Sequence, residues 1–180
     1  MTQNKNKNNI TVVIVIYRED YELLYKTLYE IKNFKIIIID NSNNIRLKKR
    51  IEREFIIEKY ILNKKNNGYS KAHNQAAKYV NTEYLLILNA DCLIDKISIQ
   101  ALVNTIEKYK NCGLVSPTTY DDKGNLTYNS GFFPERGIKD DPILIDGDIC
   151  VNTVLGSSML ISKKLFQKLD GFDENFFLYF

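Results

Sequence analysis

Polar residues of the kinds that bind ligands follow three short apolar runs of this sequence. They are Tyr17–Asp20 after the first run, Asp40–Ser42 after the second and Asn89–Asp91 after the fourth. Ligands of open α/β sheets bind at the carboxyl ends of the strands, so three polar strand ends at one edge predict a binding site. For Asp40 taken alone, a turn or helix-cap aspartate is an equally good interpretation.

The sequence holds neither of the two common glycine-rich phosphate loops. No GxGxxG follows the first run and no GxxxxGK[ST] occurs anywhere, which disfavours dinucleotide and P-loop sites. A diphosphate bound without such a loop needs another positive charge, and Mg²⁺ or Mn²⁺ on carboxylate oxygens supplies it. Asp91 is the best-placed metal ligand. Asp95 is the second candidate for a metal ligand. Its alternative role is to cap a helix that begins at Lys96.

Composition and charge narrow the class of protein. The 180 residues are 44% hydrophobic and 26% charged, which is typical of a soluble globular domain, and a net charge of only +3 argues against nucleic-acid binding. The three cysteines form no CxxC or Cys/His cluster, which predicts reduced thiols in a cytoplasmic protein. No run approaches the ~20 apolar residues of a membrane span; peripheral attachment at the inner face of the membrane stays an alternative.

Short apolar runs alternate with helical patterns in the first part of the chain. This alternation predicts an α/β fold with a Rossmann-like, mostly parallel central sheet flanked by helices. The predicted strands are Ile10–Tyr17, Lys35–Ile39, Glu58–Leu62, Tyr84–Leu88 and Gly113–Pro117. The predicted helices are Asp20–Phe34, Arg46–Phe55, Tyr69–Val80 and Ile97–Tyr109.

The pattern changes after Pro117. A turn signal at Asp121–Asn125 predicts a small β-hairpin, and Phe132–Asp148 is predicted to be a loop. Three further elements are predicted beyond it, with the two strands split at Gly156 and the helix closed by Gly171. These elements are Val151–Leu155, Ser157–Ser162 and Lys163–Leu169. No repeat or linker occurs, so we predict a single domain over residues 1–180.

Four segments carry motifs at a familiar order and spacing. They are TVVIVIYRED (11–20), IIIIDNSN (37–44) and the stretches 66–92 and 154–180. With these motifs the chain resembles the inverting family 2 glycosyltransferases of the GT-A fold, especially their rhamnosyltransferase-like branch. The resemblance implies a nucleotide-diphospho-sugar donor (dTDP-rhamnose or UDP-hexose), a divalent Mn²⁺ or Mg²⁺ and inverting transfer to an acceptor hydroxyl. The acceptor would be a glycan or lipid-linked glycan of cell-surface polysaccharide biosynthesis.

The resemblance also implies roles on the donor side, which spans about 10–117. Asp40 would hydrogen-bond the nucleotide base and Asp91 would contact the metal, although Asn89 replaces the first aspartate of the strict DxD motif and removes one charge. Lys71 would approach a phosphate or stay solvated, and His73 is expected at the nucleotide rim or in a structural role. The expected donor contacts are Tyr17, Arg18, Asp40, Asn41, Asn67, Gly68, Asn74 and Asn89.

On the acceptor side, about 118–180, the resemblance implies roles for Gly156, Asp173 and Glu174. The catalytic base of the family is an acidic residue expected just after Phe180, so we expect this chain to be shortened, to bind donor and to transfer sugar poorly. Its apolar C-terminus also predicts self-association. The alternative functions are a nucleotidyltransferase, which would need a basic glycine-rich loop after the first strand, and a non-catalytic nucleotide-binding or assembly module.

Overall fold

The β-branched runs of the sequence form the centre of one six-stranded sheet. A computed structural model describes residues 9–127, 130–131, 147–151 and 153–178. Its strands are β1 Ile10–Ile16, β2 Lys35–Asp40, β3 Lys59–Leu62, β4 Tyr84–Leu88, β5 Leu114–Val115, β6 Thr119–Tyr120, β7 Leu126–Thr127, β8 Ser130–Gly131, β9 Thr153–Val154 and β10 Ser158–Ser162. Its helices are α1 Tyr21–Ile31, α2 Ile45–Glu54, α3 Tyr69–Ala77, α4 Lys96–Lys108 and α5 Lys163–Lys168.

The sheet order is β3-β2-β1-β4-β10-β5. The first four strands along the chain run parallel, with Ile16 beside Asp40 and Asp40 beside Leu62. Their carboxyl ends therefore share one edge, as the sequence predicted. β10 is antiparallel to both neighbours and separates β4 from β5.

Both faces of the sheet are covered, which explains why its central strands are apolar throughout. Ile14, Ile38 and Leu86 face one cluster of buried side chains, to which α1, α2 and α4 contribute. Val13, Ile37 and Ile87 face the other cluster, to which α3 and α5 contribute. Alternate residues of a strand point to opposite faces, so each central strand supplies both clusters. The mixed α/β fold with a mostly parallel sheet is the predicted one.

Several predicted bounds differ from the structure. α3 ends at Ala77 rather than Val80 because Tyr79 and Val80 donate backbone hydrogen bonds to residues three positions back, which tightens the last turn. The predicted strands Gly113–Pro117 and Val151–Leu155 shrink to two residues each. β9 leaves the main sheet and pairs with β8, a strand that was not predicted.

The predicted hairpin is present, since β6 and β7 pair across the Asp121–Asn125 turn. The predicted loop lies largely outside the described residues, which omit 132–146. Helix α5 is closed by two left-handed residues, Asp170 with φ 60° and Gly171 with φ 77°, rather than by Gly171 alone. Within the described part of the chain, no helix is both long and apolar enough to cross a bilayer.

Candidate functional site

Asp40, at the end of β2, is enclosed within its own turn. Its carboxylate is 0% exposed and accepts hydrogen bonds from the Ser42 amide at 2.7 Å, the Ser42 hydroxyl at 2.5 Å and the Asn44 amide at 3.2 Å. The Tyr60 hydroxyl donates a fourth bond at 3.1 Å. A carboxylate offers about four acceptor positions, so a nucleotide base would have to displace one of these donors. Base recognition by Asp40 stays a prediction.

Asn41 points to the opposite face and joins a buried chain of amides. Its Nδ2 donates to the Gly68 carbonyl at 3.2 Å, and its Oδ1 accepts from Asn63 at 2.9 Å. Asn63 and Gln75 bond each other in both directions, at 2.9 and 3.0 Å. Asn41 therefore connects the end of β2 to the start of α3. Sequence reasoning missed Asn63 and Gln75, whose positions in a polar loop and a helix gave no signal of pairing.

Tyr17 and Arg18 form the exposed end of β1. Tyr17 is 41% exposed, and the Arg18 guanidinium carbon lies 5.1 Å from the centre of its ring. Arg18 has φ 59°, a left-handed conformation that is uncommon outside glycine, asparagine and aspartate. An aromatic ring and a cation therefore lie together just after β1, next to the end of β2, and their nucleotide contacts stay a prediction.

The Asn89–Asp91 turn follows β4 and is held from two sides. The Asn89 amide donates to the Ser157 carbonyl at 2.8 Å, and the hydroxyl of Thr27, which is fully buried on α1, donates to the Ala90 carbonyl at 2.8 Å. Asp91 is exposed. From the part of the chain that the structure describes, its carboxylate receives one long contact, at 3.7 Å from the Cys92 thiol. The sequence gave no reason to single out Thr27, since a threonine inside a helix shows no partner.

The Asp91 carboxylate is therefore accessible to a ligand. Burial is the main cause that raises the pKa of Cys92 to about 11, helped by the negative charge of Asp91, so the thiol stays protonated beside it. The described residues contain no group of three or more His, Cys, Asp or Glu side chains arranged to hold a metal ion. Asp91 thus fits Mg²⁺ or Mn²⁺ only as one carboxylate ligand, with substrate phosphates and water completing the shell.

Asp95 takes its alternative role in the structure. Its Oδ1 accepts from the Ser98 amide at 2.7 Å and caps helix α4. The Ser98 hydrogen bonds lower the pKa of its carboxyl, because they stabilise the charged form.

The start of α3 contacts the C-terminal residues. Gly68 has φ 78°, and a Cβ there would overlap the carbonyl of Phe177. That carbonyl accepts from the Tyr69 amide at 2.7 Å. Asn67 lies half-buried beside Gly68. Gly68 thus allows close approach of another segment, which is the property that also suits a glycine beside a diphosphate.

Asn74, predicted on the donor side, hydrogen-bonds the segment that was predicted on the acceptor side. Its amide makes two 2.8 Å hydrogen bonds with the backbone of Phe172 and a third, at 3.2 Å, with Glu174. Glu174 also pairs with Lys71 at 3.8 Å. The Asp173 carboxylate accepts from the amide and side chain of Asn175 at 2.9 and 2.8 Å, the turn-forming role.

Tyr69 and His73 link α3 to Gly156. The Tyr69 hydroxyl donates to the Gly156 carbonyl at 2.6 Å, and a Cβ at Gly156 would lie 2.7 Å from that hydroxyl. His73 is 1% exposed, and its ring centre lies 4.0 Å from that of Tyr69. Burial lowers the pKa of His73 to about 4, so the ring is neutral at pH 7. This environment matches the structural role expected of His73.

The structure thus divides the predicted residues into two groups. The first lies at the carboxyl edge of β1, β2 and β4, and comprises Tyr17, Arg18, Asp40, Asn41, Asn89 and Asp91. The second surrounds α3 and comprises Asn67, Gly68, Lys71, His73, Asn74, Gly156, Asp173 and Glu174. Asn41 connects the two groups through its bond to the Gly68 carbonyl. Asp95 belongs to neither.

Solved glycosyltransferases share the fold of this chain. The mannosyltransferase PcManGT from Pyrobaculum calidifontis, solved with GDP-Man and Mn²⁺, matches with a TM-score of 0.65 at 14% identity, over 94% of this chain and 48% of its own. TarS 1-349 of S. aureus, solved with UDP, matches with a TM-score of 0.59 at 13% identity, over 94% and 51% of the two chains. The fold is the GT-A glycosyltransferase fold, as predicted.

The model of glycosyl transferase family 2 matches residues 11–169, and the chain belongs to this family. The low-salt glycan biosynthesis hexosyltransferase Agl10 of Haloferax volcanii is 30% identical over 186 residues, which cover 96% of this chain and 59% of that protein. The teichoic acid poly(glycerol phosphate) polymerase of Staphylococcus epidermidis is 28% identical over 122 residues, 61% of this chain and 16% of that protein. The chain therefore spans little more than half of the first relative.

Proposed function

We propose that this chain binds a nucleotide-diphospho-sugar and serves the inverting transfer of its sugar to an acceptor hydroxyl in glycan biosynthesis. The observation that carries the proposal is Asp91, an exposed carboxylate just after β4 that has no strong partner among the described residues. It stands at the carboxyl edge of the sheet, where Tyr17 follows β1 and Asp40 ends β2. This is the position at which open α/β sheets bind ligands.

A divalent ion on Asp91 would neutralise the diphosphate as it departs. Asn89 supplies a half-buried amide beside it, and the Thr27 and Ser157 hydrogen bonds fix the intervening backbone. The protein contributes a single carboxylate charge, so metal and nucleotide should bind together rather than separately. PcManGT, solved with GDP-Man and Mn²⁺, supports the same pairing here.

The donor is proposed to be dTDP-rhamnose or a UDP-hexose. The motif resemblance favours rhamnose, whereas the hexosyltransferase Agl10 and the UDP complex of TarS support a hexose on UDP. The acceptor is proposed to be a glycan or lipid-linked glycan.

A thermal-shift titration with UDP, dTDP and GDP, with and without Mn²⁺, tests the proposal. At a hundred times its Kd, one nucleotide should stabilise the protein by about 2.7 kcal/mol, or raise the Tm by about 5–10 °C for a chain of this size. Asp91→Ala should abolish the Mn²⁺-dependent part of the shift. The matched control is Asp122→Ala, which removes an exposed carboxylate from the hairpin turn.

Failure of all three nucleotides to shift the wild-type Tm would refute donor binding. A full Mn²⁺-dependent shift in Asp91→Ala would instead remove Asp91 from the metal role and leave nucleotide binding standing. Loss of the shift in Asp122→Ala as well would show that the response reflects general charge rather than a defined site.

A further inference from the structure

Residues 171–177, here called the C-terminal strap, lie along the first two turns of α3. Two backbone positions fix the strap. Near its start, the Phe172 amide donates to the Asn74 Oδ1 and the Phe172 carbonyl accepts from the Asn74 Nδ2, both at 2.8 Å. At its end, the Phe177 carbonyl accepts from the Tyr69 amide at 2.7 Å. One side chain of α3 therefore pairs with the strap as a neighbouring β-strand would.

Two glycines permit this close approach, one on each partner. A Cβ at Gly171 would overlap the Asn74 Oδ1, and a Cβ at Gly68 would overlap the Phe177 carbonyl. Both glycines have positive φ, at 77° and 78°, a conformation that other residues rarely adopt. The two fixed points of the strap therefore depend on residues that cannot be replaced without moving it.

The hydrogen-bonding capacity of Asn74 is almost fully used by the strap. A side-chain amide has two N–H donors and one carbonyl oxygen. Both donors are occupied, by the Phe172 carbonyl at 2.8 Å and by Glu174 Oε1 at 3.2 Å, and the oxygen accepts from Phe172. A donor nucleotide could reach only the second lone pair of that oxygen, unless the strap were released.

We propose that Asn74 is a positioning residue, which holds the C-terminal strap and its acceptor-side residues against α3 and makes no contact with the nucleotide. Lys71 adds only an exposed ion pair to Glu174 at 3.8 Å, and exposed pairs of this kind contribute little. The side-chain rings of Tyr69 and His73 lie 5.7 and 5.9 Å from that of Phe172, so they pack against the strap but do not set its register. The assignment of an acceptor-side role to the strap rests on the proposed function.

Hydrogen exchange of the 180-residue chain measures the positioning directly. In Asn74→Ala, the amides of residues 172–177 should exchange at least about tenfold faster, since two to three hydrogen bonds of ~1 kcal/mol each are lost. Peptides from β1, β2 and β4 should be unchanged. Lys71→Ala, which removes only the ion pair, should change the exchange rates of the strap amides by less than about twofold. Asn74→Asp keeps the acceptor for the Phe172 amide but puts a second carboxylate beside Glu174, so it should not restore the protection that Asn74→Ala loses.

Gly171→Ala approaches the same contact from the strap and leaves the amide of Asn74 intact. It should also speed the exchange of residues 172–177, which keeps the proposal testable if Asn74→Ala does not fold. Unchanged strap exchange in both variants, or a strap already unprotected in the wild type, would overturn the proposal.

The nucleotide Kd of Asn74→Ala distinguishes a positioning role of Asn74 from a direct contact with the nucleotide. The Kd for the nucleotide that stabilises the wild type should change by less than about threefold in Asn74→Ala, whereas a lost donor contact would raise it tenfold or more, about 1.4 kcal/mol. If the wild type binds no nucleotide, the proposed function fails, but the exchange experiment still decides whether Asn74 holds the strap.

Discussion

Asp40 and Asp91 stand at the same edge of the sheet and offer opposite chemistry. Asp40 is fully buried and accepts four hydrogen bonds, whereas Asp91 is exposed and accepts one long contact from a thiol. Strand-end position and the family resemblance predicted a ligand-facing role for both, although a turn or helix-cap role was an equally good interpretation of Asp40 taken alone. The Tyr60 hydroxyl takes the fourth acceptor position of the Asp40 carboxylate, and no pattern in the sequence pairs these two residues.

His73 makes the stability of the protein depend on pH. Burial lowers its pKa from 6.5 to about 4, so below pH 6.5 the unfolded chain takes up the proton more readily than the folded chain. The contribution of His73 to the free energy of unfolding is therefore complete above pH 6.5 and is lost as the pH falls towards 4. Between pH 7 and pH 5, the free energy of unfolding should fall by about 2 kcal/mol from this residue, which urea titrations at the two pH values measure.

His73→Phe is the matched variant for this pH dependence. It keeps a ring beside Tyr69, whose centre lies 4.0 Å away, but it cannot titrate. Three exposed aspartates also have lowered pKa values, and these stay charged in the window: Asp95, Asp121 and Asp148. The wild type should therefore lose about 2 kcal/mol more than the variant. Equal losses in the two proteins would show that another group titrates.

Helix α4 begins at a residue that the sequence left with two roles. The Asp95 cap satisfies the Ser98 amide, so Asp95→Ala should lower the free energy of unfolding by about 1 kcal/mol. Asp95→Asn should restore most of it, because asparagine caps a helix about as well. Both variants should keep the Mn²⁺-dependent nucleotide shift. Its loss in Asp95→Asn, with stability preserved, would make Asp95 a metal ligand after all.

The long elements could be predicted from sequence and the short ones could not. Runs such as Ile36–Ile39 and the spacing of Leu24, Leu28 and Ile31 in α1 are set by burial, and burial leaves a periodic pattern in the sequence. β8 and β9 have two residues each, too few for any period. The place of β10 between β4 and β5 is set by pairing along the sheet, which no local pattern encodes.

The two groups of candidate site residues also differ in how far the local sequence predicts their position. The edge residues were predictable because each follows a recognisable strand, as Asp91 follows β4. The contact of Asn74 with Phe172 spans a sequence separation of 98 residues. Asn74 was assigned to the donor side because its motif lies there, and only the packed chain brings the strap to it.

At the scale of the molecule, β10 joins the two halves into one sheet. Leu160 is 0% exposed and lies between Leu86 of β4 and Val115 of β5. The predicted donor half, about 10–117, and the predicted acceptor half, about 118–180, should therefore unfold together, as one cooperative unit. A single unfolding transition is what the prediction of one domain requires.

The chain contains no tryptophan, so two introduced probes can report on the halves separately. Phe55→Trp, behind α2, and Phe166→Trp, in α5, should give the same midpoint in urea. Leu160→Ala should lower both urea midpoints equally, because it lowers the free energy of unfolding by about 2–5 kcal/mol. Leu169→Ala, at a side chain that is 62% exposed, should lower neither midpoint. Two separate midpoints would mean that the halves are independent units.

The insertion of β10 also has a consequence for the newly made chain. β4 is buried along its whole length and apolar, yet the strand that covers its second edge is synthesised much later, after residue 157. At about 5–20 residues per second, the hydrogen-bonding groups of that edge stay open for several seconds once β4 leaves the ribosome. An open apolar strand edge is a template for pairing with other chains. This interval is therefore when the protein is most prone to aggregate, and when a chaperone that shields strand edges should raise its yield.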